Sequence, residues 1–215
     1  GALSATGATL ALADQLEQII ALHDASTIAA VIMEPMQGSA GVVIPPKGYL
    51  EKIRETCTRH GILLIFDEVI TGFGRMGAAF GAQAFGVVPD LITFAKGVNN
   101  GTVPMGGVIA RQEIHDAYMQ GPEWAVELFH GYTYSGHPLA VAAAHATLDL
   151  FESEDVPAKF AAVGDMLGQA VHGLRGEPNV IDIRNCSAAA AVELAPIAGK
   201  PGLRAVRIFE EALKR

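Results

Sequence analysis

The chain has 215 residues, of which 50% are hydrophobic, 18% charged and 7% aromatic, with 15 Lys+Arg against 23 Asp+Glu and a formal net charge of −8. Low charge and 24 glycines without a period exclude a disordered tail, a collagen and a coiled coil, and the acidic balance without basic runs argues against nucleic acid or an anionic membrane surface as partner. Mean hydropathy is +0.31, yet the apolar runs at 28–33, 62–66 and 188–192 fall far short of the roughly 18 residues a spanning helix needs. The first residues show neither the basic start nor the apolar core of a secretory signal. Cys57 and Cys186 lack metal spacing and read as free thiols in a reducing, cytoplasmic setting.

Taken in chain order, Leu12, Leu16, Ile19 and Ile20 recur at helical spacing and predict a helix over 11–23. Residues 27–33 form a β-branched apolar run without polar alternation, the pattern of a strand covered on both faces. Pro45-Pro46 opens a helix with Leu50, Ile53 and Cys57 on one stripe, and His60-Gly61 closes it. Strands follow at 62–66 and 91–94, with a further one at 106–110. The alternation predicts an α/β fold with a mainly parallel, doubly wound sheet. Residues 121–138, rich in Gly, Pro, aromatics and His, predict an ordered functional loop. Beyond it come a helix from 139 to about 152, a second to about 174, strands at 180–184 and 189–194, and a last helix over 203–214. That helix lacks a cap and a following partner, so the chain is expected to stop within a domain.

Ligands of open parallel sheets bind beyond the carboxyl ends of the strands. Glu34, Asp67-Glu68 and Lys96 fall at three such ends in succession. A lysine whose amine is deprotonated attacks carbonyls, and an aspartate facing a pyridine nitrogen keeps that ring protonated as an electron sink. Gly97 and Gly72-Phe73-Gly74 leave room for a flat ligand. Amine plus carboxylate, without a histidine–serine pair or HExxH, points to Schiff-base chemistry rather than hydrolysis. Two other classes use the same residues: a cofactor-free lyase acting through Lys96, and a metal-dependent hydrolase built on Glu34, Asp67 and Asp90. The latter lacks histidines at metal spacing.

The stretch Leu64-Ile65-Phe66-Asp67-Glu68-Val69-Ile70-Thr71-Gly72-Phe73-Gly74-Arg75, followed by Pro89-Asp90-Leu91-Ile92-Thr93-Phe94-Ala95-Lys96-Gly97, resembles the signature of class III pyridoxal-phosphate aminotransferases. Glu34-Pro35 upstream and the run from His130 through Thr133 to Pro138 downstream fit the same family. The resemblance spans essentially the whole chain but only the middle and later half of the family's usual length. It implies the fold type I large domain over residues 1–138 without its N-terminal part, connecting helices over 139–174, and the start of a small α+β C-terminal domain over 175–215.

By that resemblance, pyridoxal 5'-phosphate is held in Schiff-base linkage by Lys96, which also shuttles the substrate proton, and Asp67 pairs with the pyridinium nitrogen. Val69 packs on a ring face or simply fills the strand end. Thr133 binds the phosphate of the neighbouring subunit's cofactor in a homodimer, or is an ordinary turn hydroxyl. Glu34 supports Asp67, while His130 and His137 receive no chemistry. Ser39 and Ile70 stand where the ornithine and 4-aminobutyrate branches carry Glu and Gln. This makes the chain look more like the branch acting between ω-amino acids or amines and a 2-oxo acid such as pyruvate. A related decarboxylase or aminomutase uses the same Lys–Asp pair. The phosphate-cradling loop, the aromatic ring partner and the substrate-carboxylate arginine of the family fall outside 1–215, so the chain alone is expected to be catalytically incompetent.

Overall fold

The structure, a computed structural model, describes residues 7–125 and 128–214. Helix α1 (Gly7–His23) packs on α2 (Tyr49–His60), with Lys52 2.5 Å from Asp14 and Glu17 bonded to Arg59 and His60. The second helix starts later than Pro45-Pro46 suggests because Gly48, at φ 88°, turns the chain immediately before it. Its far end matches expectation: Gly61, left-handed at φ 66°, donates to the carbonyls of Cys57 and Thr58.

Four strands make one sheet in the order β1 (Ala30–Met33), β2 (Leu63–Asp67), β3 (Leu91–Phe94) and β4 (Gly107–Ala110). The first three strands pair in parallel, with Met33 opposite Phe66 and Asp67 opposite Thr93, so their carboxyl ends lie side by side. The fourth strand returns antiparallel against β3. Leu64 and Phe66 point into a core shared with Ala13, Ile20, Ile53 and Cys57 of the two long helices. The alternate residues of β1 and β2 face away from it, and Ile32 remains 62% exposed. The apolar run at 27–33 therefore differs from its expected cover on both faces. Its first residue, Thr27, ends a 3₁₀ turn (Ala25–Thr27), and among the described residues the helical layer meets the face carrying Val31 and Met33.

Two short helices have no counterpart in the sequence reading. The five residues of α3 (Gly81–Phe85) are too few to show a period, and α4 (Gln112–Tyr118) buries no residue, so it carries no apolar stripe. After the 121–138 region, α5 (Pro138–Ser153) begins on His137, whose Nδ1 accepts from the Leu139 N–H. Next, α6 (Val156–His172) begins on Asp155, which accepts from the Ala158 N–H. The sixth helix lies on an antiparallel hairpin, β5 (Val180–Cys186) and β6 (Ala189–Leu194). Close approach there requires Gly164, where a Cβ would stand 2.6 Å from the Ser187 backbone. The closing helix α7 (Leu203–Ala212) buries no residue but is pinned to the chain by Arg204, which donates to the Ala195 carbonyl at 2.7 Å.

The hairpin is joined to the sheet region by a second small core of Met36, Val42 and Met76, against which Cys186, Ala189 and Ala191 pack. Arg184 donates to the Gly41 carbonyl, and the Ala188 N–H donates to the Arg75 carbonyl. Both cysteines are free, and burial raises both thiols above their ordinary pKa.

Candidate active site

The parallel register places Glu34, Asp67 and Lys96 just beyond, or at the last position of, three adjacent strands. Asp67 is half-buried, and its Oδ1 accepts from the Val69 N–H at 3.0 Å. Among the described residues nothing donates to Oδ2, so one carboxylate oxygen is oriented and the other is left for a ligand. Lys96 opens a 3₁₀ turn (Lys96–Val98) at φ 44°, a left-handed conformation that few non-glycine residues adopt. Strain of this kind clusters at functional sites. Its amine is exposed and makes no ion pair or hydrogen bond among the described residues.

Lys96 and Val69 line the same cavity of about 660 Å³, walled by Ile70, Gly72, Phe73 and Arg75 on the sheet side and by α5, α6 and the hairpin on the other. Phe73, also left-handed at φ 56°, stacks edge-on against Phe80 at 5.3 Å and Phe94 at 5.8 Å. A Cβ on Gly97 would meet Phe73 at 2.8 Å, so glycine beside the lysine is required by this packing. Asn99 is buried and donates to the Val103 carbonyl at 2.6 Å, fixing the turn that follows.

The remaining expected residues, Asp67 among them, lie outside the cavity wall. Glu34 accepts from the Gly38 N–H at 2.9 Å, and Gly38 in turn lines the cavity. Thr133 sits exposed in the 128–137 loop. Asp90 occupies the opposite end of β3, bound by the Leu64 N–H at 2.7 Å and by Arg54 and Arg111 at 2.7 and 3.0 Å. It is committed to that network and cannot join Glu34 and Asp67 around one metal. Among the described residues no group of three or more His, Cys, Asp or Glu side chains is placed to hold a metal ion.

Glu68, which the sequence reading placed at a strand end beside Asp67, received no role there. It is fully buried and accepts hydrogen bonds from Thr71, Gly81 and Ala82. Its signal was available: a carboxylate next to Asp67, followed three residues later by a threonine hydroxyl.

An amine and a half-engaged carboxylate at neighbouring strand ends suit a flat, carbonyl-bearing pyridine ring, which needs one group at each end. The chain belongs to the class III aminotransferases, whose family model matches residues 4–212. It is 56% identical over 199 residues to an omega-aminotransferase of Caulobacter vibrioides, an alignment covering 93% of this chain and 45% of that one. It is 55% identical over 205 residues to a beta-alanine–pyruvate aminotransferase of Pseudomonas aeruginosa, covering 94% of this chain and 45% of the relative. The chain thus spans a little under half the length of these relatives. Among solved structures it resembles the (S)-enantioselective omega-transaminase of Thermomicrobium roseum, at TM-score 0.83 and 43% identity, covering 90% of this chain and 43% of that one. A PLP-bound amine transaminase from an uncultivated Pseudomonas species matches at TM-score 0.81 and 45% identity, covering 87% and 42%. The fold is therefore that of the pyridoxal-phosphate transaminases.

Proposed function

We propose that the protein containing this chain is a pyridoxal-phosphate-dependent transaminase that moves an amino group from an ω-amino acid or amine to a 2-oxo acid such as pyruvate. The observation that carries this reading is the pair Lys96 and Asp67, each with a free polar group, at the ends of adjacent parallel strands. The relatives' own names, which pair β-alanine and ω-amino acids with pyruvate, support the substrate class. Residues 1–138 would form the cofactor-binding part, 139–174 the connecting helices and 175–215 part of the small C-terminal domain.

The cofactor, when bound, supplies an electron sink for the negative charge that develops at the substrate carbon. Asp67 would hold a proton at the ring nitrogen through Oδ2, with the Val69 N–H fixing the orientation of the carboxylate. Lys96 would anchor the cofactor carbonyl carbon through Nζ. The same Nζ would carry the substrate proton off and onto the reacting carbon. Val69 would rest on one ring face. Glu34 would shape the cavity through Gly38 rather than touch the ring. A homodimer in which Thr133 reaches the neighbouring subunit's phosphate accounts for its exposure here, and a cytoplasmic location accords with the absence of any membrane-crossing helix among the described residues.

Borohydride reduction of the cofactor-loaded full-length enzyme, followed by peptide mapping, is expected to place the pyridoxyl mass on Lys96. A label on Lys47 or Lys52 instead would overturn the assignment.

A further inference from the structure

Glu68 is a carboxylate with no exposed surface and, among the described residues, no lysine or arginine beside it. Burying such a group is costly unless its oxygens are fully engaged. Here they are: Oε2 accepts from the Thr71 hydroxyl at 2.7 Å and the Gly81 N–H at 2.5 Å, and Oε1 from the Ala82 N–H at 2.7 Å. Gly81 and Ala82 open α3, where backbone N–H groups have no partner within the helix and favour negative charge. The main chain of the same residue is equally committed. Its N–H donates to the Thr93 carbonyl on β3, and its carbonyl accepts from the Gly72 N–H. Two glycines are required by the fit: a Cβ at Gly81 would stand 2.9 Å from Oε2, and one at Gly72 would stand 2.9 Å from the Glu68 carbonyl.

The segment closed by these bonds, residues 69–80, supplies Val69, Ile70, Gly72 and Phe73 to the wall of the Lys96 cavity. It also presents Phe73 against Gly97, next to Lys96. We propose that Glu68 is a positioning residue for this site: its buried carboxylate clamps both ends of the 69–80 segment, holding Asp67, Val69 and Phe73 in fixed relation to Lys96. The proposal rests on the transaminase reading for what the wall contacts, but the clamp itself is a property of this chain's own atoms.

Glu68→Gln keeps the volume but turns an NH₂ group toward an amide N–H, leaving one helix-start donor unpaired. In the full-length enzyme, amide exchange at Gly81 and Ala82 is expected to accelerate at least about tenfold, and pyridoxal-phosphate to bind about tenfold more weakly. Ile53→Val, in the helix-side core, serves as the control for stability alone: it should lower the melting temperature yet leave cofactor affinity unchanged. Thr71→Val removes one of the three donors and should show the same pair of effects at a few-fold size, which keeps the test decisive if Glu68→Gln does not fold. Wild-type exchange and affinity in Glu68→Gln, or an affinity loss no greater than that of Ile53→Val, overturns the proposal. Failure of Lys96 to take a pyridoxyl label in the wild type instead overturns the transaminase reading; exchange across 69–82 in the apo protein then decides the clamp by itself.

Discussion

Two loops carry the sequence motifs of this family, and they are built in opposite ways. The 68–81 loop is anchored inside its own chain: Glu68 and Thr71 are buried, Phe73 is enclosed by two rings, and Arg75 lies 5.4 Å over the Phe160 ring. Among the described residues, the 128–137 loop is held by short-range contacts such as the Tyr132 N–H to the Ser135 hydroxyl at 3.0 Å and the ring pair His130–Tyr132 at 5.7 Å. It leaves Phe129 93% exposed. A loop that must hold catalytic groups at fixed distances is tied by buried hydrogen bonds. On the proposed homodimer reading, the 128–137 loop would keep its apolar side chains outward until a partner subunit covers them.

The comparison breaks most sharply at Asp67. In the full-length enzyme, Asp67→Asn preserves shape but would remove the charge proposed to hold the ring proton. Turnover is expected to fall by about 10²–10³-fold, or about 3–4 kcal/mol, while the cofactor stays attached to Lys96. Near-normal turnover in stopped-flow assays would reduce Asp67 to a solvated strand end.

A second test concerns the opposite end of β3. Burial alone raises the Asp90 pKa, but the Leu64 N–H, Arg54 and Arg111 together outweigh it and hold the carboxyl below its ordinary value of 3.8. With the folded pKa depressed, the ionised carboxylate stabilises the fold above pH 3.8, and that contribution is lost as pH falls through the lower folded value. Asp90→Ala leaves Arg54 facing an empty, largely buried site and is expected to cost about 3 kcal/mol by denaturant unfolding at neutral pH. Acid unfolding should also lose part of its steepness in the variant. Catalytic proton transfer should be untouched, since the network lies away from Lys96.

Thr133→Ala sharpens the contrast between the loops. If Thr133 serves a neighbouring subunit, cofactor affinity in the assembled enzyme should weaken about tenfold, or about 1.4 kcal/mol, with no change in unfolding of the chain itself. Equal cofactor affinity in the two proteins, measured by fluorescence titration, would return Thr133 to an ordinary turn hydroxyl.

Much of the fold was legible because each long element carries its own period. The stripe of Leu50, Ile53 and Cys57 and the closing Gly61 define α2, and the run Leu91–Phe94 matches its strand end for end. Lys96 and Asp67 were legible as strand-end residues because parallel strands put their carboxyl ends on one edge. What escaped was local or tertiary. Helix α3 is shorter than two turns, the antiparallel sense of β4 is not written in four residues, and the clamp at Glu68 depends on Gly81 and Ala82 arriving from thirteen and fourteen residues away.

The smallest effect is expected where the anchored loop meets the hairpin. Ser187 turns the chain between β5 and β6 at φ 47°, a conformation that costs a residue with a Cβ about 1–2 kcal/mol relative to glycine. Its hydroxyl is buried and without a hydrogen-bond partner among the described residues, a further penalty. It lies against the 68–81 loop, since a Cβ on Gly77 would stand 3.3 Å from its Oγ, and the neighbouring Ala188 N–H donates to Arg75. Ser187→Gly removes both the strain and the orphaned hydroxyl, and part of that gain is offset by the greater freedom of glycine in the unfolded chain. The net expectation is a stabilisation of about 1 kcal/mol, visible as a higher unfolding midpoint with an unchanged denaturant slope. A loss of stability would mean that the serine hydroxyl has a partner in solution and that the turn is held by it.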